Sequence, residues 1–233
     1  MVEPNPILEQ LRGGLIVSVQ AEPGSVLDAP ATIALLAQCA VRNGAVGVRI
    51  ESAANIAAAA AAVDVPIIGI VKRRHLGSEP YITTTVGEID EVAQAGAAIV
   101  ACDATLRPRA GGRDAAALIA HAHGCGLLAM ADCSEWADAD GAITAGADIV
   151  ATTLAGYTAA THGRPLPALD LVAAIAGRHP FTVCEGGVAD PRHLRAAFAA
   201  GASAVVVGTA ITNVDALVRR FAAAAPRTGS LQL

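Results

Sequence analysis

Apolar and polar positions alternate along the chain on two scales. Short runs rich in valine and isoleucine are separated by longer alanine- and leucine-rich segments with helical spacing, the order expected of parallel strands joined by crossover helices. Eight runs read as strands: Gly14–Gln20, Ala45–Glu51, Val65–Lys72, Ala97–Ala104, Gly126–Cys133, Ala147–Thr153, Phe181–Gly187 and Ala202–Thr209. Eight such units predict the α/β class and a closed (β/α)8 TIM barrel forming a single domain over residues 1–233. An open doubly wound sheet is the alternative, but no G-x-G-x-x-G turn follows the first strand to favour it.

The punctuation between elements fits the same picture. Gly44, Gly96, Gly146 and Gly201 each stand between a helical segment and a strand, where a residue of positive φ commonly ends the helix. Thr85-Val86-Gly87-Glu88 reads as a capping box, and Asp190-Pro191 as an N-cap followed by proline at the first helical position. Residues Pro4–Arg12 predict a short helix outside the repeat that closes the barrel bottom.

Composition narrows the functional classes. The 233 residues are 54% hydrophobic and 16% charged, with a formal charge of -5 and no basic run longer than Lys72-Arg73-Arg74. That balance argues against nucleic acid as a partner. The most apolar stretch, Ile56–Val71, contains Asp64 and Pro66 and falls short of the roughly 20 apolar residues that span a bilayer, so no membrane partner is expected. Glu3, Pro4 and Pro6 precede any apolar run, unlike an export signal, which leads to the expectation of a cytoplasmic protein. The five cysteines are spread out and never in a C-x-x-C pair, the mark of free thiols rather than a disulfide framework or a zinc site. Of the sixteen basic residues only Lys72 is lysine.

In barrels of this kind the active site lies at the C-terminal ends of the strands. The last polar residues of the runs are Gln20, Arg49, Lys72, Asp103, Asp132, Thr152 or Thr153, Glu185 and the pair Gly208-Thr209. If Asp103, Asp132 and Glu185 face inward, alternation turns Cys102, Cys133 and Cys184 toward the helices. Two cations, Arg49 and Lys72, would then share one cavity with three carboxylates, a setting that pushes pKa values apart and suits proton transfer. For Lys72 to act as a base its pKa must fall from about 10.4, through burial or a neighbouring cation such as Arg49 or Arg73. The histidines show no metal-ligand spacing and no metal is expected; a magnesium ion on two of the carboxylates is the minor alternative. Glu185-Gly186-Gly187 and Gly208-Thr209 close the last two runs, where barrels commonly hold phosphate on backbone N–H groups. With only six aromatic residues there is little to stack a long glycan, and a small phosphorylated ligand is preferred.

At these residues the chain resembles the N-acetylmannosamine-6-phosphate 2-epimerase family of phosphosugar-binding barrels. The motifs are Gly14–Gln20 (GLIVSVQ), Pro66–Arg73 (PIIGIVKR), Tyr81–Thr85 (YITTT), Ala101–Thr105 (ACDAT), Met130–Ser134 (MADCS), Ala151–Thr158 (ATTLAGYT), Cys184–Gly187 (CEGG) and Val207–Thr212 (VGTAIT). They run from about Arg12 to Phe221. Two positions depart from the family pattern: Asn213 stands where arginine is usual, and Thr84 where proline is usual.

The resemblance implies epimerisation at C2 between N-acetyl-D-mannosamine 6-phosphate and N-acetyl-D-glucosamine 6-phosphate, in amino-sugar and sialic acid catabolism, without a cofactor. It assigns Lys72 as principal acid/base and Glu185 as its partner. Gln20, Arg49 and Asp132 are implied to bind substrate, with Thr153 and Tyr157 on the acetamido side. Gly186, Gly187, Gly208 and Thr209 are implied at the phosphate, and a homodimer is expected. Whether Lys72 and Glu185 act on opposite faces, or Lys72 alone, is left open. The alternatives are a pentose-phosphate epimerase, a lyase using Lys72 as a Schiff base, or a silent sugar-phosphate-binding barrel.

Overall fold

The structure, a computed structural model, describes residues 5–226. The expected helix start at Pro4 lies outside them. The chain opens with α1 (Pro6–Leu11), started by the Asn5 side chain accepting from the Ile7 N–H and by proline in its first turn. Eight strands follow: β1 (Leu15–Val19), β2 (Ala45–Glu51), β3 (Ile67–Ile70), β4 (Ile99–Asp103), β5 (Leu128–Asp132), β6 (Ile149–Ala151), β7 (Thr182–Cys184) and β8 (Ala204–Val207). They close in sequence order into a parallel barrel. Between and after them run α2 (Pro30–Arg42), α3 (Ala53–Ala60), α4 (Val86–Gln94), α5 (Ala115–Gly124), α6 (Trp136–Thr144), α7 (Leu169–Ala176), α8 (Pro191–Ala199) and α9 (Val214–Ala224). The fold is thus the (β/α)8 barrel that the alternation predicts. Among the described residues no helix is long and apolar enough to cross a membrane.

Period-two alternation sorts each strand into two faces. Ile16, Ile68, Ile70, Ile99, Met130, Ile149, Val183 and Val206 pack together as the barrel interior. The intervening positions, such as Val17, Val48, Ile50 and Val100, pack with Ile33, Ile56, Ile89 and Leu118 of the surrounding helices. Cys102 and Cys133 belong to that outer layer and Cys184 to its counterpart beneath α8. Burial pushes the Cys102 thiol up to about 12 and the Cys184 thiol to about 11, so both stay protonated and inert.

Leu11 of α1 and Phe181 plug the N-terminal end of the barrel. Gly47 admits α1 there, because a Cβ at that position would lie 2.6 Å from Leu11 Cδ2. Leu11→Ala opens a cavity under the interior, and we expect a loss of about 2–5 kcal/mol of stability. The urea midpoint should fall at unchanged slope, with turnover by the folded fraction retained. Loss of turnover in the folded fraction would mean that this end of the barrel is coupled to the other.

β2 matches its predicted run, Ala45–Glu51, and the other seven strands stop short of theirs. The predicted run Phe181–Gly187 gives only Thr182–Cys184, since Glu185 leaves the ladder and Gly186 and Gly187 turn away at φ +101° and +71°. Lys72 likewise lies beyond β3, in an isolated antiparallel bridge to Ile82. The rim residues surrender strand pairing, and this frees them to shape a site. Both predicted caps form: Thr85 and Glu88 reciprocate, and Asp190 accepts from the N–H groups of Arg192 and His193.

Candidate active site

A cavity of about 770 Å³ opens at the C-terminal ends of the strands. Gln20, Arg49, Lys72, Thr153, Tyr157, Glu185, Gly186, Gly187, Gly208 and Thr209 all line it. They arrive from six different strand ends, brought together by barrel closure rather than by nearness in sequence.

Arg49 organises the centre. It is 1% exposed, and its Nη2 donates to Asp132 Oδ2 at 2.6 Å and its Nη1 to Asp132 Oδ1 at 3.1 Å. The same Nη1 lies 3.0 Å from Glu185 Oε2. Thr153 Oγ1 is 2.6 Å from Asp132 Oδ1 and 3.1 Å from Glu185 Oε2. Asp132 is fully buried and does not line the cavity, so it lies behind Arg49 as its anchor. Two buried polar atoms here have no partner, Arg49 Nε and Gln20 Oε1. Buried donors and acceptors are rarely left unpaired, and a polyhydroxylated ligand would satisfy both.

Two of the titratable groups that line the cavity, Lys72 and Glu185, are displaced toward each other. Lys72 is lowered, first because the cavity walls strip its hydration and then because Arg49 is near; Glu51, Glu185 and Asp132 oppose this. Glu185 is raised, first by burial and further by Asp132, against the pull of Arg49 and the Thr153 hydroxyl. The segment after Lys72 holds it in place. Thr83 N donates to Val71 O at 2.8 Å, Arg73 N to Tyr81 O at 2.9 Å, and Val71 N to Thr83 Oγ1 at 3.1 Å. Buried Glu88 fixes the return of this loop by accepting from the N–H groups of Thr84 and Thr85. Thr84 supplies an N–H that a proline would lack.

At the other end of the cavity the backbone comes close. Gly187 has φ +71°, and a Cβ on it would meet Leu166 Cβ at 2.3 Å, so the turn admits only glycine. A Cβ on Gly208 would lie 3.2 Å from Ser18 Cβ. Thr212 Oγ1 ties this loop to Ser18 O at 2.6 Å. Tyr157, 61% exposed, stands at the rim beside Gly186. Asn213 lines the cavity too, but its Oδ1 caps α9 at Ala216 N and its Nδ2 donates to Glu22 Oε1.

Four expectations change. Asp132, expected to share the cavity, lies behind Arg49 and does not line it. Asp103 does not share the cavity: Arg107 Nη2 donates to its Oδ2 at 2.7 Å, and Thr105 Oγ1 donates to its Oδ1. Arg73 gives no electrostatic help to Lys72, because Glu91 holds it in a two-pronged pair on the loop exterior. One histidine does meet possible metal donors, since Asp90, His121 and Cys125 gather between α4 and α5. A 2.8 Å hydrogen bond between Asp90 and His121 accounts for that approach. Ser18, Glu22, Tyr81 and Arg220 line the cavity without having been anticipated. Ser18 was within reach of the alternation rule, two residues before Gln20 on the same face; the others sit on loops and a helix.

The family model described as "Putative N-acetylmannosamine-6-phosphate epimerase" matches residues 33–227. A Synechococcus elongatus protein named "Putative N-acetylmannosamine-6-phosphate 2-epimerase" is 45% identical over 93% of this chain and 95% of its own. The solved structure of the N-acetylmannosamine-6-phosphate 2-epimerase from Clostridium perfringens superposes with TM-score 0.90 at 32% identity, over 97% of this chain and 99% of that one. Thiamine phosphate pyrophosphorylase from Pyrococcus furiosus shares the fold alone, with TM-score 0.60 at 13% identity over 87% of this chain and 88% of its own. The sequence match over nearly the whole chain and the superposition agree: this chain belongs to the N-acetylmannosamine-6-phosphate epimerase family.

Proposed function

We propose that the chain interconverts N-acetyl-D-mannosamine 6-phosphate and N-acetyl-D-glucosamine 6-phosphate by proton transfer at C2. The observation that carries this reading is the shared cavity of Lys72 and Glu185, with the buried Arg49 held against Glu185 by Asp132. Ring opening exposes the C1 aldehyde. When the C2–H bond breaks, its electron pair passes into a C1–C2 double bond and charge develops on the C1 oxygen. Fixed donors aimed at that oxygen lower the barrier most, since they need not reorient during reaction. The unpartnered Arg49 Nε–H is the donor available for it.

Lys72 acts as the principal acid/base in this scheme, with Glu185 as its partner. β3 and β7 are four strands apart in an eight-stranded closed barrel, so the two groups reach a bound sugar from opposite sides. This supports removal of the proton on one face and its return on the other. Gln20 and Thr153 hold hydroxyl and acetamido groups, Tyr157 covers the acetamido side, and Gly186, Gly187, Gly208 and Thr209 receive the phosphate. No step requires a cofactor.

Incubation of either sugar phosphate with the purified protein should give the same two-component mixture by proton NMR. A single unchanged component from both directions would contradict the activity. The displaced groups also set a pH profile. The acid limb of kcat/KM should lie above the ordinary glutamate value of about 4.3, and the alkaline limb below the ordinary lysine value of about 10.4. Limbs at those ordinary values would mean that Glu185 and Lys72 are not the groups that titrate.

A further inference from the structure

Three cations line the cavity: Arg49, Lys72 and Arg220. Arg49 is committed to Asp132 and Glu185, and Lys72 serves the reacting carbon. Arg220 makes no hydrogen bond or ion pair among the described residues. Its position is set by α9, whose Ala216, Leu217 and Arg220 all line the cavity. Spacings of three and four residues put them on one helical face. That face follows directly on the loop Gly208–Thr212, the part of the rim where the glycines open the backbone.

The adjacent Arg219 has a different task. Glu22 lines the same end of the cavity, where its carboxylate would repel an anion. Arg219 Nη2 and Asn213 Nδ2 both donate to Glu22 Oε1, and the arginine compensates its charge. With Glu22 cancelled by one arginine, the charge of the next is left for a ligand. A guanidinium matches a phosphate in shape and charge, and such pairs are among the stronger hydrogen bonds.

Resting on the function proposed above, we propose that Arg220 grips the 6-phosphate of the substrate from α9, supplying the cation of the phosphate end. It is a binding residue that anchors the sugar while Lys72 and Glu185 act at C2.

Arg220 is exposed, so Arg220→Gln should fold normally. On N-acetylmannosamine 6-phosphate we expect KM to rise by about tenfold to a hundredfold, the range of a lost charge-assisted hydrogen bond, with kcat changed by less than about twofold. The affinity for inorganic phosphate, measured by calorimetry, should fall by a similar factor. Arg220→Lys should recover most of both. The proposal is overturned if phosphate affinity is the same in wild type and Arg220→Gln, if the wild type binds no phosphate, or if the loss falls on kcat at unchanged KM. The phosphate arm does not depend on turnover. A wild type that binds phosphate through Arg220 yet converts neither sugar would overturn the activity and leave this role standing.

Discussion

Lys72→Arg should fold as the wild type does and lose at least about a hundredfold, and up to about ten-thousandfold, in kcat. The substitution keeps the positive charge, the stem along the cavity wall and the attraction to Glu51 and Glu185, so electrostatics alone would predict a small effect. What it removes is the ability to give up a proton, because arginine is not deprotonated in proteins. Two neighbours make that ability available in Lys72. The cavity walls strip part of its hydration and so penalise its charged form first, and the fixed cation of Arg49 adds to the penalty. Steady-state kinetics on N-acetylmannosamine 6-phosphate checks the prediction, with the thermal midpoint as the control for folding. Turnover within about tenfold of wild type would show that Lys72 contributes charge and position only.

Arg49→Leu should damage both stability and activity. The side chain is 1% exposed and faces Asp132, which is fully buried, and Glu185, which is 14% exposed. Removing one partner of a buried pair leaves uncompensated charge and typically costs about 3–5 kcal/mol. The loss should depend on pH, with a sign that follows from Glu185. Burial already raises its pKa in the fold, and removal of Arg49, which opposes that rise, lifts it further. Between the unfolded value of about 4.3 and the raised folded value, the folded state holds more protons than the unfolded chain. Stability therefore falls as pH rises through that window, and in the variant the fall is larger and extends to higher pH. Urea midpoints at acid and neutral pH should show the gap between variant and wild type widening toward neutral. A gap that narrows toward neutral would contradict the charge arrangement. Activity should drop by about a hundredfold to a thousandfold, the cost of removing one donor to a developing oxyanion.

The barrel was legible because its two layers write themselves into each strand. Ile68, Ile70 and Lys72 alternate with Ile67 and Val71, and the structure puts the isoleucines of the first set inside and Ile67 and Val71 outside. The rim was legible for a related reason, since a polar residue ending an apolar run has no other place to go than the end of the barrel. What alternation cannot give is partnership. Asp132 was visible as a strand-end acid, but its service to Arg49 depends on a residue 83 positions away. Asp103 and Asp132 sit in equivalent places on neighbouring strands, yet loop arginines claim only the first. Arg220 escaped notice because it follows the last strand, on a helix whose cavity-facing side depends on how α9 settles against the loop after β8. The single lysine was the clearest signal in the composition, and its position at the rim gives the physical reason that arginine does not stand there.

The most direct test of this account is solvent hydrogen exchange at C2. In heavy water, N-acetylmannosamine 6-phosphate incubated with the protein should acquire one deuterium at C2, in both epimers at equilibrium, and Lys72→Arg should acquire none over the same interval. Conversion without deuterium at C2, or with deuterium at another carbon, would contradict proton transfer at this carbon and with it the roles of Lys72 and Glu185.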